Sequence, residues 1–154
     1  MNVAIRRMTL EDVPAVHIID TLSFSLPWPE NSFRFELTEN PVSRSWVAES
    51  GGRMAAMLVL WLIVDEAHIA TIATHPDFRQ QGIGEQLMIT ALQSARAEGA
   101  MRAFLEVRSG NAVAQAMYKK YGFAVAGVRP RYYKDNNEDA ILMNLEDLNS
   151  LEAP

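Results

Sequence analysis

The sequence predicts one α/β domain over residues 1–154: a mixed central sheet, part antiparallel and part parallel, with helices on both faces. Three observations carry this. Ala67–Thr74 is short, β-branched and strand-like, and Gly84–Leu92 repeats at helical spacing, so a strand feeds a helix through the turn Arg79-Gln80-Gln81-Gly82-Ile83-Gly84. Ser45–Glu49 and Arg53–Val64 flank Gly51-Gly52 and read as a hairpin. The remaining elements give the order β-α-α-β-β-β-α-β-α-β-β, which mixes hairpins with strand–helix–strand units.

Each element has its own signal. Val3–Met8 reads as a strand. Thr9 is placed to cap a helix whose first turn carries Glu11 and Asp12 and whose apolar positions Val13, Val16 and Ile19 run on to about Ser23. Phe24–Pro29 is aromatic and proline-rich and cannot be regular helix. A second helix starts at Pro29-Glu30 and ends near Asn40-Pro41. Arg53–Val64 contains the longest apolar run, Met54–Val64, and is read as a buried strand; a bilayer span needs about 20 residues. The third helix places Ile83, Leu87, Ala91 and Ala95 on one stripe and stops at Gly99. Met101–Val107 is a strand, Asn111–Tyr121 a helix ended by Gly122, Phe123–Val128 a strand, and Asp139–Leu145 the closing strand. The tail, residues 147–154, is expected to fray.

Composition narrows the function. The net charge of −5 disfavours broad nucleic-acid binding and suits a cationic substrate such as an amine. The chain has no cysteine, so it can form no disulfide, thiolate metal site or cysteine acyl-enzyme. His17, His68 and His75 share no ligand spacing, and no metal site is expected. Met1–Val13 is broken by Arg6, Arg7, Glu11 and Asp12 and is no signal peptide, so a cytoplasmic, non-membrane protein is expected.

The glycine turn suits an anion. A helix N-terminus offers unpaired N–H groups and a partial positive charge, and glycines let a ligand approach the backbone. A P-loop would need Lys-Ser/Thr after the last glycine, where Glu85-Gln86 stands. A dinucleotide fingerprint would need a third glycine. What remains, Arg-x-x-Gly-x-Gly between strand and helix, fits a pyrophosphate-holding loop, with a plain turn and helix cap as the alternative.

Downstream, Glu106 interrupts an apolar strand, on the face of Arg102 and Phe104 and opposite Ala103, Leu105 and Val107. It is either a sheet carboxylate paired with an Arg or a general base whose apolar surroundings raise its proton affinity. Asn111 is an N-cap. Tyr118, seven residues on, shares its outlook but lies off the apolar stripe of Val113, Ala116/Met117 and Tyr121; it is either packing or chemistry.

These residues together resemble one group. The loop Arg79–Gly84 is similar to the acetyl-CoA loop of the GNAT N-acetyltransferases. Leu105-Glu106-Val107-Arg108, Asn111-Ala112, Met117-Tyr118, Gly122-Phe123, Arg131-Tyr132-Tyr133 and Glu138-Asp139-Ala140 resemble, in order, the bacterial ribosomal-protein alanine N-acetyltransferases. Pro27-Trp28 and Ile72–Pro76 match as well, so the resemblance runs from Met8 to about Leu145. The chain departs from the group at Gly110, usually Ser; at Met117, usually Leu; at Glu85, where a basic residue often stands; and at Pro130. Glu85 should therefore point away from the anion.

The resemblance implies the GNAT fold and direct acetyl transfer from acetyl-CoA to a protein α-amine, with ribosomal protein as partner. It implies that Ile72, Ala73 and Thr74 line the pantetheine arm, that the loop from Arg79 through Gln80, Gln81, Gly82, Ile83 and Gly84 to Glu85 holds the pyrophosphate, and that Asn111 contacts the arm. The strands of Ile72 and Glu106 should part to admit it. Glu106 and Tyr118 become base and proton donor. Trp28, Tyr132 and Tyr133 become walls for the substrate N-terminus, with Phe24–Pro29 and Arg129–Tyr133 choosing the acceptor. A lysine or small-amine acceptor, or a non-catalytic CoA-binding module, are the alternatives. The basic stretch Lys119–Lys134 reads as a solvated face or a docking patch.

Overall fold

The structure, a computed structural model, describes residues 2–151. In chain order it has β1 (Val3–Arg7), α1 (Val13–Ser23), α2 (Glu30–Thr38), β2 (Ser43–Ser50), β3 (Arg53–Ile63), β4 (Glu66–Thr74), α3 (Ile83–Ala97), β5 (Arg102–Arg108), α4 (Ala112–Lys120), β6 (Ala124–Tyr133) and β7 (Glu138–Leu145). That is the order read from the sequence. The seven strands form one sheet, ordered β1-β2-β3-β4-β5-β7-β6. Every pairing is antiparallel except β4–β5, which α3 connects.

Two apolar layers cover the sheet. On one face Ile83, Leu87, Met88 and Leu92 of α3 pack on Leu58, Leu60, Ala67 and Leu105. On the other, Val13, Val16 and Ile19 of α1 and Phe33 of α2 pack on Val47, Met57, Val59 and Ala73. Successive β3 side chains point to opposite faces, and both faces are covered, which is why β3 reads as a continuous apolar run. The run ends one residue earlier than its hydrophobicity suggests. Val64 is 90% exposed at φ 57°, because the chain must reverse there into β4.

Other boundaries shift for identifiable reasons. A 3-10 turn, Leu10–Asp12, precedes α1, and the Asp12 carboxylate accepts from the Thr9 N–H and from Arg6. α2 stops at Thr38, short of Asn40. β6 runs on to Tyr133 through a bulge between Arg129 and Tyr133. That bulge takes Pro130, which has no N–H for the ladder, and lets Arg131 sit at φ 52° with its N–H on Asp139. The expected fraying does not hold up to Leu151: Leu148 and Leu151 are buried in the α3 layer, and the Leu148 N–H bonds the Met101 carbonyl. Residues 152–154 of that tail lie outside the described residues.

One irregularity sets up the site. β4 pairs with β5 only from Glu66↔Arg102 to His68↔Phe104. Immediately beyond, the β3–β4 register slips so that Ala70 has no partner. A bulge bends its strand, and from this point β4 and β5 part.

Candidate active site

The parting of β4 and β5 opens a cavity of about 420 Å³. Ile69–Ile72 form one wall and Leu105–Arg108 the other; Asn111 and Tyr118 of α4 line it as well. Phe24, Leu26 and Trp28 of the α1–α2 linker and Tyr132 and Tyr133 of β6 also line it. The sequence-assigned Glu106, Asn111, Tyr118, Trp28, Tyr132, Tyr133 and Ile72 therefore meet in one space. Ala73 and Thr74 do not line it. Ala73 is buried under α1, and Thr74 faces the glycine loop.

Glu106 sits where alternation places it, with Ala103, Leu105 and Val107 buried on the opposite face. The expected apolar enclosure is absent: the side chain is exposed at the cavity, because β5 has lost its β4 neighbour there. The alternative of a sheet carboxylate paired with Arg is not realised among the described residues. Arg102 bonds Asp65, and Arg108 bonds Asp135 and Glu138.

Tyr118 corrects the helix reading. It is the buried residue of α4, while Val113 is 79% exposed and Ala116 is exposed too. The core stripe is Ala114, Met117/Tyr118 and Tyr121. The Tyr118 ring stacks obliquely on Phe123 at 5.8 Å. Its hydroxyl has no hydrogen-bond partner among the described residues and yet is not sealed, so it opens to the cavity. Burial, with a smaller push from Tyr133, raises its pKa to about 12. Asn111 caps α4, its Oδ1 accepting from the Ala114 N–H at 3.1 Å.

The glycine loop leaves its amides outward. Gly82 caps α3 at φ 77° and Gln80 sits at φ 63°. The first α-helical bond is Gln86 N–H to the Gly82 carbonyl; among the described residues the N–H groups of Gln80 to Glu85 find no protein acceptor. Six free amides at a helix N-terminus are suited to an anion. A Cβ on Gly84 would stand 3.1 Å from Thr74 Oγ1. Arg79, itself exposed, ties the loop to its neighbours: its Nε bonds the Thr74 carbonyl at 3.0 Å and its Nη2 reaches Ser23 Oγ. Glu85 points away from the amides, accepting from Tyr121 Oη at 2.6 Å and Lys120 Nζ at 3.1 Å. The Tyr121 bond holds its carboxyl below the usual range.

The roof of the cavity was not legible in the sequence. Asp135, after β6, accepts from Ser25 Oγ of the α1–α2 linker and from Arg108 Nη1 at 3.0 Å. Arg108 also lies over the Tyr133 ring at 4.0 Å. Glu138 accepts from the Gly110 N–H at 2.5 Å, and a Cβ at Gly110 would lie 2.7 Å from the same carboxylate oxygen, so that side chain would have to shift to admit one. A second unforeseen residue is Asp20, buried in α1 with Oδ2 on the Trp28 N–H at 2.7 Å. Its signal was an acid on the apolar stripe, seven residues after Val13.

Known proteins resemble this chain in sequence and fold. Residues 13–123 match the Acetyltransferase (GNAT) family. A Bacillus subtilis protein named for alanine N-acetylation of ribosomal protein bS18 is 42% identical over 140 residues, covering 91% of this chain and 93% of its own. The [ribosomal protein bS18]-alanine N-acetyltransferase of Escherichia coli K12 is 34% identical, covering 87% and 90%. The crystal structure of the E. coli ribosomal-protein-S18-alanine N-acetyltransferase superposes with a TM-score of 0.86 at 33% identity, over 94% of this chain and 93% of that one. A glycine-capped anion loop, a sheet parted beside it and these relatives lead to one conclusion: the chain belongs to the GNAT acetyltransferase family and is an acetyl-CoA-dependent N-acetyltransferase.

Proposed function

We propose that the chain acetylates the α-amino group of a protein N-terminus, the N-terminal alanine of ribosomal protein bS18, by direct transfer. The observation that carries this is the meeting of Glu106, Asn111 and Tyr118 with the aromatic walls Trp28, Tyr132 and Tyr133 at the point where β4 leaves β5. The substrate assignment is taken from the relatives' names. A cytoplasmic site of action accords with a chain free of cysteine.

Acetyl-CoA supplies the thioester. The amides from Gln80 to Glu85 hold its pyrophosphate, Arg79 braces their loop, and Asn111 and the free edge of β4 from Ile72 through Ala73 to Thr74 orient its arm. An α-amino group has a pKa of about 7.7–8.0, so much of it arrives protonated. Glu106, open to the cavity, takes that proton through water. A backbone N–H near Ile72 faces the carbonyl oxygen as charge grows on it. The free amine attacks the thioester carbonyl; the C–N bond forms, the C–S bond breaks, and the nitrogen's second proton passes through water to the CoA thiolate. Tyr118 donates a hydrogen bond to the departing sulfur. With its own pKa near 12 against about 8.5 for a thiol, it keeps its proton rather than surrendering it. Trp28, Tyr132 and Tyr133 enclose the acceptor's first residue and exclude water.

The test is CoA release with N-terminal peptides beginning Ala, Ser, Met or Gly, and an N-blocked lysine peptide as control. The Ala peptide should turn over fastest, and Glu106→Gln should lower kcat while acetyl-CoA binding persists. Turnover of the blocked lysine peptide at the Ala rate would remove the α-amine assignment.

A further inference from the structure

One buried carboxylate in the cavity has no role in the mechanism above. Asp20 is 1% exposed, at the last full turn of α1. Oδ2 accepts from the Trp28 N–H at 2.7 Å. Oδ1 accepts no hydrogen bond among the described residues. It is also absent from the side-chain atoms that are both unpaired and sealed, which are Trp46 Nε1 and Arg102 Nε. Oδ1 is therefore unpaired and keeps only a sliver of exposure on a residue 1% exposed, and the space that Asp20 lines is the cavity.

The charges around that space leave Asp20 without a cation. Arg108 is held by Asp135 and Glu138, and Lys134 Nζ bonds the Arg131 carbonyl. Burial dominates at Asp20 and holds its carboxyl above the usual range; the Trp28 N–H and His17, one turn back on α1, offset this only in part. A buried carboxylate with one hydrogen bond is costly to keep, and a cation entering beside it would relieve that cost. The acceptor assigned above brings such a cation, its α-ammonium.

We propose that Asp20 is the acceptor anchor: Oδ1 receives the α-ammonium of the N-terminal residue as it enters beneath Trp28, and Glu106 then removes the proton. Asp20 thus couples two tasks. One oxygen fixes the wall that encloses the first residue, and the other reads the charge of that residue. This rests on the reading of a protein α-amine as acceptor.

The experiment compares an Ala-initiated peptide with its des-amino counterpart, in which a propionyl group replaces Ala. Affinities are measured by calorimetry on the CoA-bound protein, with steady-state kinetics for the amine peptide. Wild type should prefer the amine by about tenfold or more, the worth of a charged hydrogen bond. Asp20→Asn keeps an oxygen for the Trp28 N–H but loses the charge. It should bring that preference near one and raise KM about tenfold, with kcat and CoA affinity held within about twofold. Asp20→Glu should keep part of the preference. A wild-type preference near one overturns the proposal without any variant. Transfer by wild type with an undiminished preference in Asp20→Asn also overturns it, and leaves the acceptor assignment standing. Absence of transfer to every N-terminal peptide overturns both.

Discussion

Tyr118→Phe removes a single oxygen and separates packing from chemistry. The ring stays: Tyr118 is 5% exposed, seated on Phe123 within the layer of α3. The hydroxyl bonds no described residue and opens to the cavity, so its loss breaks no internal hydrogen bond. Stability should therefore move by less than about 1 kcal/mol. The rate should move much more. A hydrogen bond to a sulfur gathering negative charge is worth about 1.5–3 kcal/mol, or roughly 10–150-fold at 1.4 kcal/mol per decade. That bond forms only as the sulfur departs, so kcat and kcat/KM should fall together, and the affinity for acetyl-CoA should hold. The assay is thiol release under saturating acetyl-CoA, beside a thermal melt. The raised pKa adds a check. The fold disfavours the phenolate, so this residue lowers stability only as pH rises from about 10 toward 12, and the tyrosine-dependent loss is absent at neutral pH. A kcat within twofold of wild type would refute the role. A lowered melting temperature with unchanged kcat would make Tyr118 a packing residue alone.

Two further substitutions test other parts. Gly84→Val places a branched side chain where a single Cβ already stands 3.1 Å from Thr74 Oγ1. It should cost about 1–3 kcal/mol in stability and raise KM for acetyl-CoA well above that for the peptide; equal KM values for wild type and variant would detach the loop from the cofactor. Asp12→Asn disturbs the bonds from Arg6 at 2.7 and 2.8 Å, and with Arg6 itself 40% exposed the cost should be about 1–2 kcal/mol. The Arg6 bonds hold the Asp12 carboxyl below its usual range, so its contribution is complete above about pH 4 and is lost as pH falls through that lowered value. Denaturant melts between neutral and acid pH should show the wild-type and variant stabilities converging, and a constant gap would sink the assignment.

The glycine loop was legible because its requirements are local. A left-handed cap at Gly82 and free first-turn amides are properties of a few consecutive residues. Glu106 was placed on the right face by alternation alone. Its surroundings were misjudged, because exposure there follows from the parting of two strands, which depends on a register slip at Ala70. Tyr118 was assigned to the wrong side of its helix. A rotation of the stripe by one residue cannot be read from nine residues when Val113, Ala114, Ala116 and Met117 are all apolar. The pairing of Ser25 with Asp135 went unseen, since residues 110 apart in sequence leave no pattern, and Asp20 went unread although an acid on an apolar stripe was its signal.

The amino-acid sequence by itself determined the element order, the two-sided burial of β3, the glycine-capped loop and the residue types able to carry acyl transfer. Periodicity, turn chemistry and helix capping act over fewer than about 20 residues. Only the tertiary structure decided that β4 and β5 part after His68. It placed the α1–α2 linker and the end of β6 over that opening, and it brought the buried Asp20 to the cavity wall. These follow from how two packed layers bend a shared sheet, which is a property of all the elements at once.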